Sequence, residues 1–314
     1  MTLSWQAYAI STVTRFRGLT VREGMVARGP AGWTEWSPFW DYGADESASW
    51  LAAAMEAAYE PWPAPVRSSV PVNCTVPAVG PQEAGRLVSS SGCRTAKVKV
   101  AEPGQSLAED LDRVAAVRAA LGSSGRVRVD ANGGWDVDTA VDATRALDRA
   151  AGGLEYVEQP CAAVEDLARV RRRVDVPVAA DESIRRAADP YRVRDLAAAD
   201  IAVLKVQPVG GVRAALQIAE RIELPVVVSS ALETSVGLAA GVALAAALPD
   251  LRYACGLATT SLLRCDLVQD GFVPVQGELA VRRPEPSAAL LDEASSADAQ
   301  RRWDERLAAV QRVG

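Results

Sequence analysis

The feature that most constrains this chain is a rhythm. After about residue 70, short β-branched runs begin near positions 71, 94, 126, 153, 177, 201, 225 and 252, with starts about 23 to 32 residues apart. Alanine- and arginine-rich segments of helical character fill most of the gaps: 107–121, 137–150, 164–173, 190–198, 212–221 and 235–248. Strands that alternate with helices must pair in parallel through right-handed crossovers. Eight strands at this spacing predict a closed α/β barrel, with an open doubly wound sheet as the alternative. No G-x-G-x-x-G follows the first strand and no Walker loop is present, which weakens the nucleotide-binding alternative.

Residues 1–70 follow another pattern. Leu3–Ser11, Leu19–Arg28 and Trp33–Trp36 read as strands, with Gly29-Pro30-Ala31-Gly32 as a turn. Asp45 to Tyr59 reads as a helix capped by Ser47 or Asp45 and stopped by Pro61, Pro63 and Pro65. This predicts a small α+β unit before a barrel spanning 71–276. A final amphipathic helix near Asp298–Gln311, within the segment 277–314, is expected to pack back on that unit. Five of the eight tryptophans lie at or before Trp50. They suit either a cover over an apolar ligand or an ordinary small core.

Composition removes several function classes. The net charge is −6 and no basic run occurs, which argues against nucleic acid as a partner. Histidine is absent, so Ser-His-Asp triads, Cys-His pairs and histidine metal sites are excluded. Five cysteines (Cys74, Cys93, Cys161, Cys255, Cys265) at predicted core positions, without C-x-x-C spacing, suggest reduced thiols in a cytoplasmic protein. The N-terminus lacks the apolar run of a secretory signal. The longest apolar run, 236–248, is too short to span a bilayer and reads as a buried amphipathic helix. No membrane partner is expected. The oligomeric state stays open, a monomer being compatible with the sequence.

Lysine occurs three times, and all three lysines fall on predicted strands: Lys97, Lys99 and Lys205. Thirty-four basic residues therefore include 31 arginines. Unlike arginine, a lysine can lose its proton when its surroundings lower its pKa. In a parallel barrel, chemistry collects at the C-terminal strand ends. Those ends carry Lys97 and Lys99, then Asp130-Ala131-Asn132, Glu158-Gln159-Pro160, Asp181-Glu182-Ser183, Lys205-Val206-Gln207, Ser229-Ser230 with Glu233, and Cys255-Gly256-Leu257. Three carboxylates on consecutive strand ends are expected to converge as an oxygen-ligand site for a hard cation, most simply Mg²⁺, with Mn²⁺ as a substitute. Strand alternation turns only one of Asp181 and Glu182 inward. Asp181 is taken as ligand, with Glu182, Asn132 and Gln207 as outer supports. This set suits proton abstraction beside a carboxylate, with a neutral lysine as base and the metal stabilising the enediolate.

The order Lys-x-Lys, Asp130, Glu158, Asp181, Lys205 resembles the enolase superfamily, in the subgroup with lysines on opposite sides of the barrel. The resemblance spans the whole chain and implies a modified TIM barrel, (β/α)7β, with an N-terminal α+β capping domain. Within the subgroup, 15–18 (RFRG), 32–39 (GWTEWSPF), 73–77 (NCTVP) and 229–237 (SSALETSVG) resemble the o-succinylbenzoate synthase family, of the short actinobacterial type. That resemblance implies a lyase of menaquinone biosynthesis. Its reaction is a syn dehydration of 2-succinyl-6-hydroxy-2,4-cyclohexadiene-1-carboxylate to o-succinylbenzoate. Lys99 would take the α-proton and return it to the departing hydroxyl. Lys205 would face the enediolate, and Lys97 would tune Lys99. Ser229, Ser230, Gly256 and Leu257 would line the pocket for the succinyl arm, although tight strand-to-helix turns explain them equally well. The rival is an N-succinylamino acid racemase using Lys99 and Lys205 as two bases. Muconate-type cycloisomerisation and a Schiff base on Lys205 are further alternatives.

Overall fold

The computed structural model describes residues 3–313. The chain opens on an antiparallel meander of β1 (Trp5–Phe16), β2 (Leu19–Gly29) and β3 (Gly32–Trp36). Arg17 and Gly18 join β1 to β2 with φ of 53° and 76°. Positive φ at both central residues matches the right-handed twist of a hairpin. Helix α1 (Ala44–Tyr59) covers one face of this sheet. Its N-cap is Gly43, before either expected cap, and Ser47 Oγ instead donates back to Gly43 O at 2.7 Å.

The barrel follows as eight strands. They are β4 (Ser69–Val76), β5 (Thr95–Lys99), β6 (Arg126–Asp130), β7 (Tyr156–Glu158), β8 (Val178–Ala180), β9 (Ile201–Leu204), β10 (Val226–Val228) and β11 (Cys255–Ala258). Neighbours pair in parallel from β4 through to β10, and β11 pairs with β4. A parallel bridge between Ser229 and Gly256 closes the ring, supported by Ser230 N donating to Gly256 O at 3.0 Å. Closure decides against the open sheet.

The crossovers are α2 (Pro81–Ser91), α3 (Leu107–Leu121), α4 (Val137–Ala151), α5 (Val164–Arg171), the four-residue α6 (Glu182–Arg185) and α7 (Arg192–Asp195), α8 (Val212–Ile222) and α9 (Ser235–Ala247). Seven strand-to-crossover units and a last strand make the expected (β/α)7β barrel. Two details differ from the sequence reading. Residues 190–198 do not form one helix: they hold only the single turn α7, and the other turn of this crossover, α6, lies before them. Helix α9 is not amphipathic: it is buried on nearly all sides, because it packs on the barrel strands, on α8 and on β3 of the cap. A helix apolar all round is the sequence signature of such a sandwiched position.

Beyond β11, β12 (Glu278–Ala280) adds antiparallel to β4, and α10 (Ala288–Ala294) and α11 (Ala297–Val310) return to the cap. Trp303 of α11 packs edge-on against Trp36 at 5.3 Å between ring centroids, and both are fully buried. Arg306 donates to Pro38 O at 2.9 Å and to Phe39 O at 2.6 Å. The tryptophans therefore build the cap's own core, while the exposed Trp40 covers Trp303. Four cysteines are buried as free thiols, but Cys265 is exposed, contrary to the expected core position. Among the described residues no helix is long and apolar enough to cross a membrane.

Truncating Trp303 removes the ring that ties α11 to the sheet. Trp303→Ala should lower the free energy of unfolding by about 3–5 kcal/mol, the range for losing a buried aromatic side chain. Guanidinium denaturation measures it, and a loss below about 1 kcal/mol would refute the clamp.

Candidate active site

Strand order places the amines before any side chain is considered. Lys97 and Lys99 stand on β5, and Lys205 follows β9. Counting β5, β6, β7, β8, β9 around an eight-strand ring puts the two strands on opposite walls. The three strands between them end in the acids. Asp130 ends β6, Glu158 ends β7, and Asp181 follows β8. All three acids are buried.

Positive and negative charge interleave across this mouth. Lys97 Nζ lies 2.9 Å from both Glu158 oxygens and 3.2 Å from Asp130 Oδ2. Lys99 Nζ donates to Asp130 Oδ2 at 2.5 Å and to Asn132 Oδ1 at 2.7 Å. Lys205 Nζ donates to Asp181 Oδ2 at 2.6 Å, and Arg185 Nε takes Asp181 Oδ1 at 2.9 Å. Arg185 also reaches Glu182 Oε1 at 2.5 Å and the Tyr42 hydroxyl of the cap. Asn132 Nδ2 donates to Glu182 Oε1 at 3.1 Å.

Burial raises a carboxyl's pKa and nearby cations lower it. At Asp130 burial is outweighed by Lys99 and Lys97, leaving the acid well below the usual range. At Asp181 burial opposes Arg185 and Lys205, which hold the group down at about 2. Glu158 goes the other way: burial and the Asp130 carboxylate push it up to about 7. Lys97 is held well above its ordinary value, since Glu158 and Asp130 overcome the cost of burying its charge. That makes Lys97 a fixed ammonium rather than a base.

The backbone helps aim these groups. Asn132 and Gln159 are left-handed, with φ of 47° and 42°. Asparagine tolerates this region, whereas glutamine there costs on the order of 1 kcal/mol. Gln159 is fixed by its side chain, whose Oε1 accepts Asp181 N at 3.0 Å and Ser183 N at 3.2 Å.

An all-oxygen set of three buried carboxylates on adjacent strands fits a hard dication. Glu158 is raised by both Asp130 and Asp181, so each acid lies within the field of the others. Their oxygens do not converge as the sequence suggested. Among the described residues no three acidic side chains gather on one point. The Lys97 ammonium stands between Asp130 and Glu158, and Lys205 and Arg185 occupy both oxygens of Asp181. Strand placement is therefore as expected, while the side chains are turned onto the amines.

One pocket opens onto this cluster. Lys97, Lys99, Asn132, Arg185 and Lys205 line it, together with Ser229, Ser230, Ala231, Leu232, Gly256 and Thr259. Phe16, Arg17 and Phe39 of the cap cover it. Lys99 Nζ lies 5.4 Å from the Phe16 ring centroid. Leu257 is a correction: alternation along β11 sends its side chain outward, where it meets Gly241 of α9. Gln207 is another, because its side chain reaches Ser37 and Glu233 at the cap seam rather than the three acids. Arg185 went unrecognised in the sequence, where one arginine among 31 carries no distinguishing signal.

Family comparison agrees with this geometry. Residues 81–286 match an enolase C-terminal domain-like family and 7–58 an enolase N-terminal domain-like family. The o-succinylbenzoate synthase of Thermobifida fusca is 66% identical over 98% of this chain and 96% of its own length. That of Mycolicibacterium smegmatis is 55% identical over 94% of this chain and 91% of its own. The chain belongs to the o-succinylbenzoate synthase family. It is an enzyme of that family, within the enolase-like fold group. Muconate lactonizing enzyme from Pseudomonas fluorescens shares the fold at TM-score 0.79 and 20% identity, over 94% of this chain and 98% of that one. N-succinyl Arg/Lys racemase from Bacillus cereus does so at 0.77 and 19%, over 94% and 98%.

A second buried acid pair lies beside the pocket. Glu35 of β3 and Glu233 are both buried, and Glu35 is pushed up to about 7 by burial and by Glu233, against Arg22. Glu233 is raised as well, by burial. With its pKa above 4.5 in the fold, Glu35 binds a proton more readily folded than unfolded. Its contribution to stability is complete below about pH 4.5 and is lost as pH rises towards 7. Glu35→Gln keeps the neutral form at every pH. Between pH 5 and 8 the variant should therefore gain about 2 kcal/mol relative to the parent. Denaturation at both pH values measures this, and a pH-independent difference would contradict it.

Proposed function

We propose that this enzyme dehydrates 2-succinyl-6-hydroxy-2,4-cyclohexadiene-1-carboxylate to o-succinylbenzoate, the product its relatives' name gives, in menaquinone biosynthesis. The observation that carries the reading is the pair of amines, Lys99 and Lys205, on opposite walls of one capped pocket. A planar carboxylate-bearing ring between them presents its α-proton to one amine and its opposite face to the other.

Lys99 is the group assigned to proton transfer. It touches Asp130 and Asn132, but it is more exposed to the pocket than Lys97. As a free amine it takes the α-proton, and as the resulting ammonium it gives that proton to the hydroxyl leaving from the same face. The atoms balance: one proton moves from carbon to nitrogen to oxygen, and water departs. Lys205 stays charged and faces the negative charge that develops on the carboxylate oxygens. Lys97, fixed between two acids, holds Asp130 and Glu158 in register and adds positive field beside Lys99.

Asp130, Glu158 and Asp181 would hold Mg²⁺, with Mn²⁺ as a substitute, and the bound ion would supply Lewis-acid stabilisation of enediolate charge. Four cations (Lys97, Lys99, Lys205, Arg185) already face four acids (Asp130, Glu158, Asp181, Glu182). Phe16 and Phe39 provide the apolar cover that excludes water, which strengthens every charge interaction beneath. Ser229, Ser230, Thr259 and the bare backbone of Gly256 offer room and hydroxyls to the succinyl arm.

Lys99→Ala should lower kcat/KM for the dehydration by at least about 10³-fold, the upper part of the range for a general acid–base, while Mg²⁺ affinity stays within about threefold. Steady-state assay with calorimetric metal titration checks it. Retained activity would remove Lys99 as the base. Faster α-deuterium exchange in an N-succinylamino acid than dehydration by the parent would favour the racemase.

A further inference from the structure

Part of the pocket wall is a loop, residues 229–234, that runs from β10, the neighbour of β9, into α9. Within the barrel Ser229 N donates to Leu204 O at 2.9 Å, and Ala231 N donates to Glu233 Oε2 at 2.6 Å. Ser230 pairs with Gly256 and Thr259, but Leu232 sits at φ 63°, a left-handed conformation unusual for leucine. Such a residue costs on the order of 1 kcal/mol and persists only where its surroundings fix it.

The surroundings belong to the cap. Arg22 of β2 is buried and donates from Nε to Leu232 O at 3.0 Å and from Nη2 to Ala231 O at 3.2 Å. The same guanidinium holds Ser37 O and, at 2.9 Å, Ser37 Oγ, and it lies 4.5 Å from the centroid of Phe39, itself a pocket residue. Glu35 of β3 grips the other end of the loop. Its Oε2 accepts Thr234 N at 3.2 Å, Thr234 Oγ1 at 2.5 Å and Gly237 N at 3.1 Å, while Oε1 accepts the Tyr8 and Ser37 hydroxyls. Glu35 thus caps the N-terminus of α9 from a different domain, satisfying amides that a helix start leaves without partners. The approach is close enough to require glycine at 237. A Cβ there would lie 2.9 Å from Glu35 Cδ and 2.8 Å from Glu233 Cβ.

We propose that Glu35 and Arg22 are positioning residues for the substrate arm: they latch the cap onto the 229–237 segment and so fix the wall against which the arm lies. The proposal rests on the dehydration reading above for the identity of the arm, and on the hydrogen bonds alone for the latch. Neither residue lines the pocket or meets the reacting end, so their loss acts on binding more than on chemistry. Glutamine serves in place of Glu35, because its oxygen can face the α9 amides while its amide donates to the Tyr8 and Ser37 hydroxyls. Alanine cannot.

The test combines amide hydrogen exchange with steady-state kinetics on the Mg²⁺-loaded full chain. In Glu35→Ala, exchange across 229–237 should quicken about tenfold or more while β5 to β8 keep parent rates. KM for the succinyl substrate should rise about tenfold with kcat within about threefold. Glu35→Gln should restore both, and Thr234→Val, which removes one strut, should shift both the same way by about threefold. Should Glu35→Ala not fold, Thr234→Val decides. Parent-like exchange at 229–237, quicker exchange without a KM change, or a fall in kcat at constant KM would each overturn the latch. If the parent chain does not dehydrate the substrate, the function reading fails and the exchange result judges the latch by itself.

Discussion

The structure depends on one arrangement: ammonium and guanidinium groups inserted between carboxylates at the mouth of a closed barrel. Removing Asp130, Glu158 and Asp181 from water would cost several kcal/mol per ion if they faced only each other. Lys97, Lys99, Lys205 and Arg185 make the burial tolerable. The pairing is not uniform, and the difference bears on function. Asp130 and Asp181 are held as anions, whereas Glu158, with acids on both sides, is pushed up to about 7. An added cation would be felt most at that acid.

Closure of the barrel converts this local pairing into a reactive geometry. Because β5 and β9 are half a ring apart, their lysines approach the pocket from opposite sides. The cap then determines what fits between them. It supplies Phe16, Arg17 and Phe39 directly, and through Arg22 and Glu35 it reaches the pocket loop that follows β10. The C-terminal helix completes the cap, with Trp303 seated against Trp36.

Much of this was legible in the sequence because it rests on period and on rare residues. The strand–helix rhythm predicted the barrel, and lysine's scarcity singled out the three amines. Side-chain direction was legible where alternation is simple and was misjudged where it was not applied: Leu257, next to the pocket residue Gly256, points to α9. The conformations of the acids were not legible, since the same spacing serves carboxylates gathered on an ion or turned onto amines. Arg22 and Glu35 were hidden for a different reason. Their roles come from contacts across more than a hundred residues of chain, between domains, and nothing local marks them. Segment 190–198 holds a single helical turn, Arg192–Asp195, where its composition predicted a longer helix.

The most direct measurement of the central claim is a crystal structure of the full chain with Mg²⁺ and o-succinylbenzoate. The account predicts the ring carboxylate between the amines, with Lys99 on one face and Lys205 on the other, and oxygens of Asp130, Glu158 and Asp181 drawn onto one ion. A product ring bound outside the pocket, or both amines on the same face of it, would contradict the account.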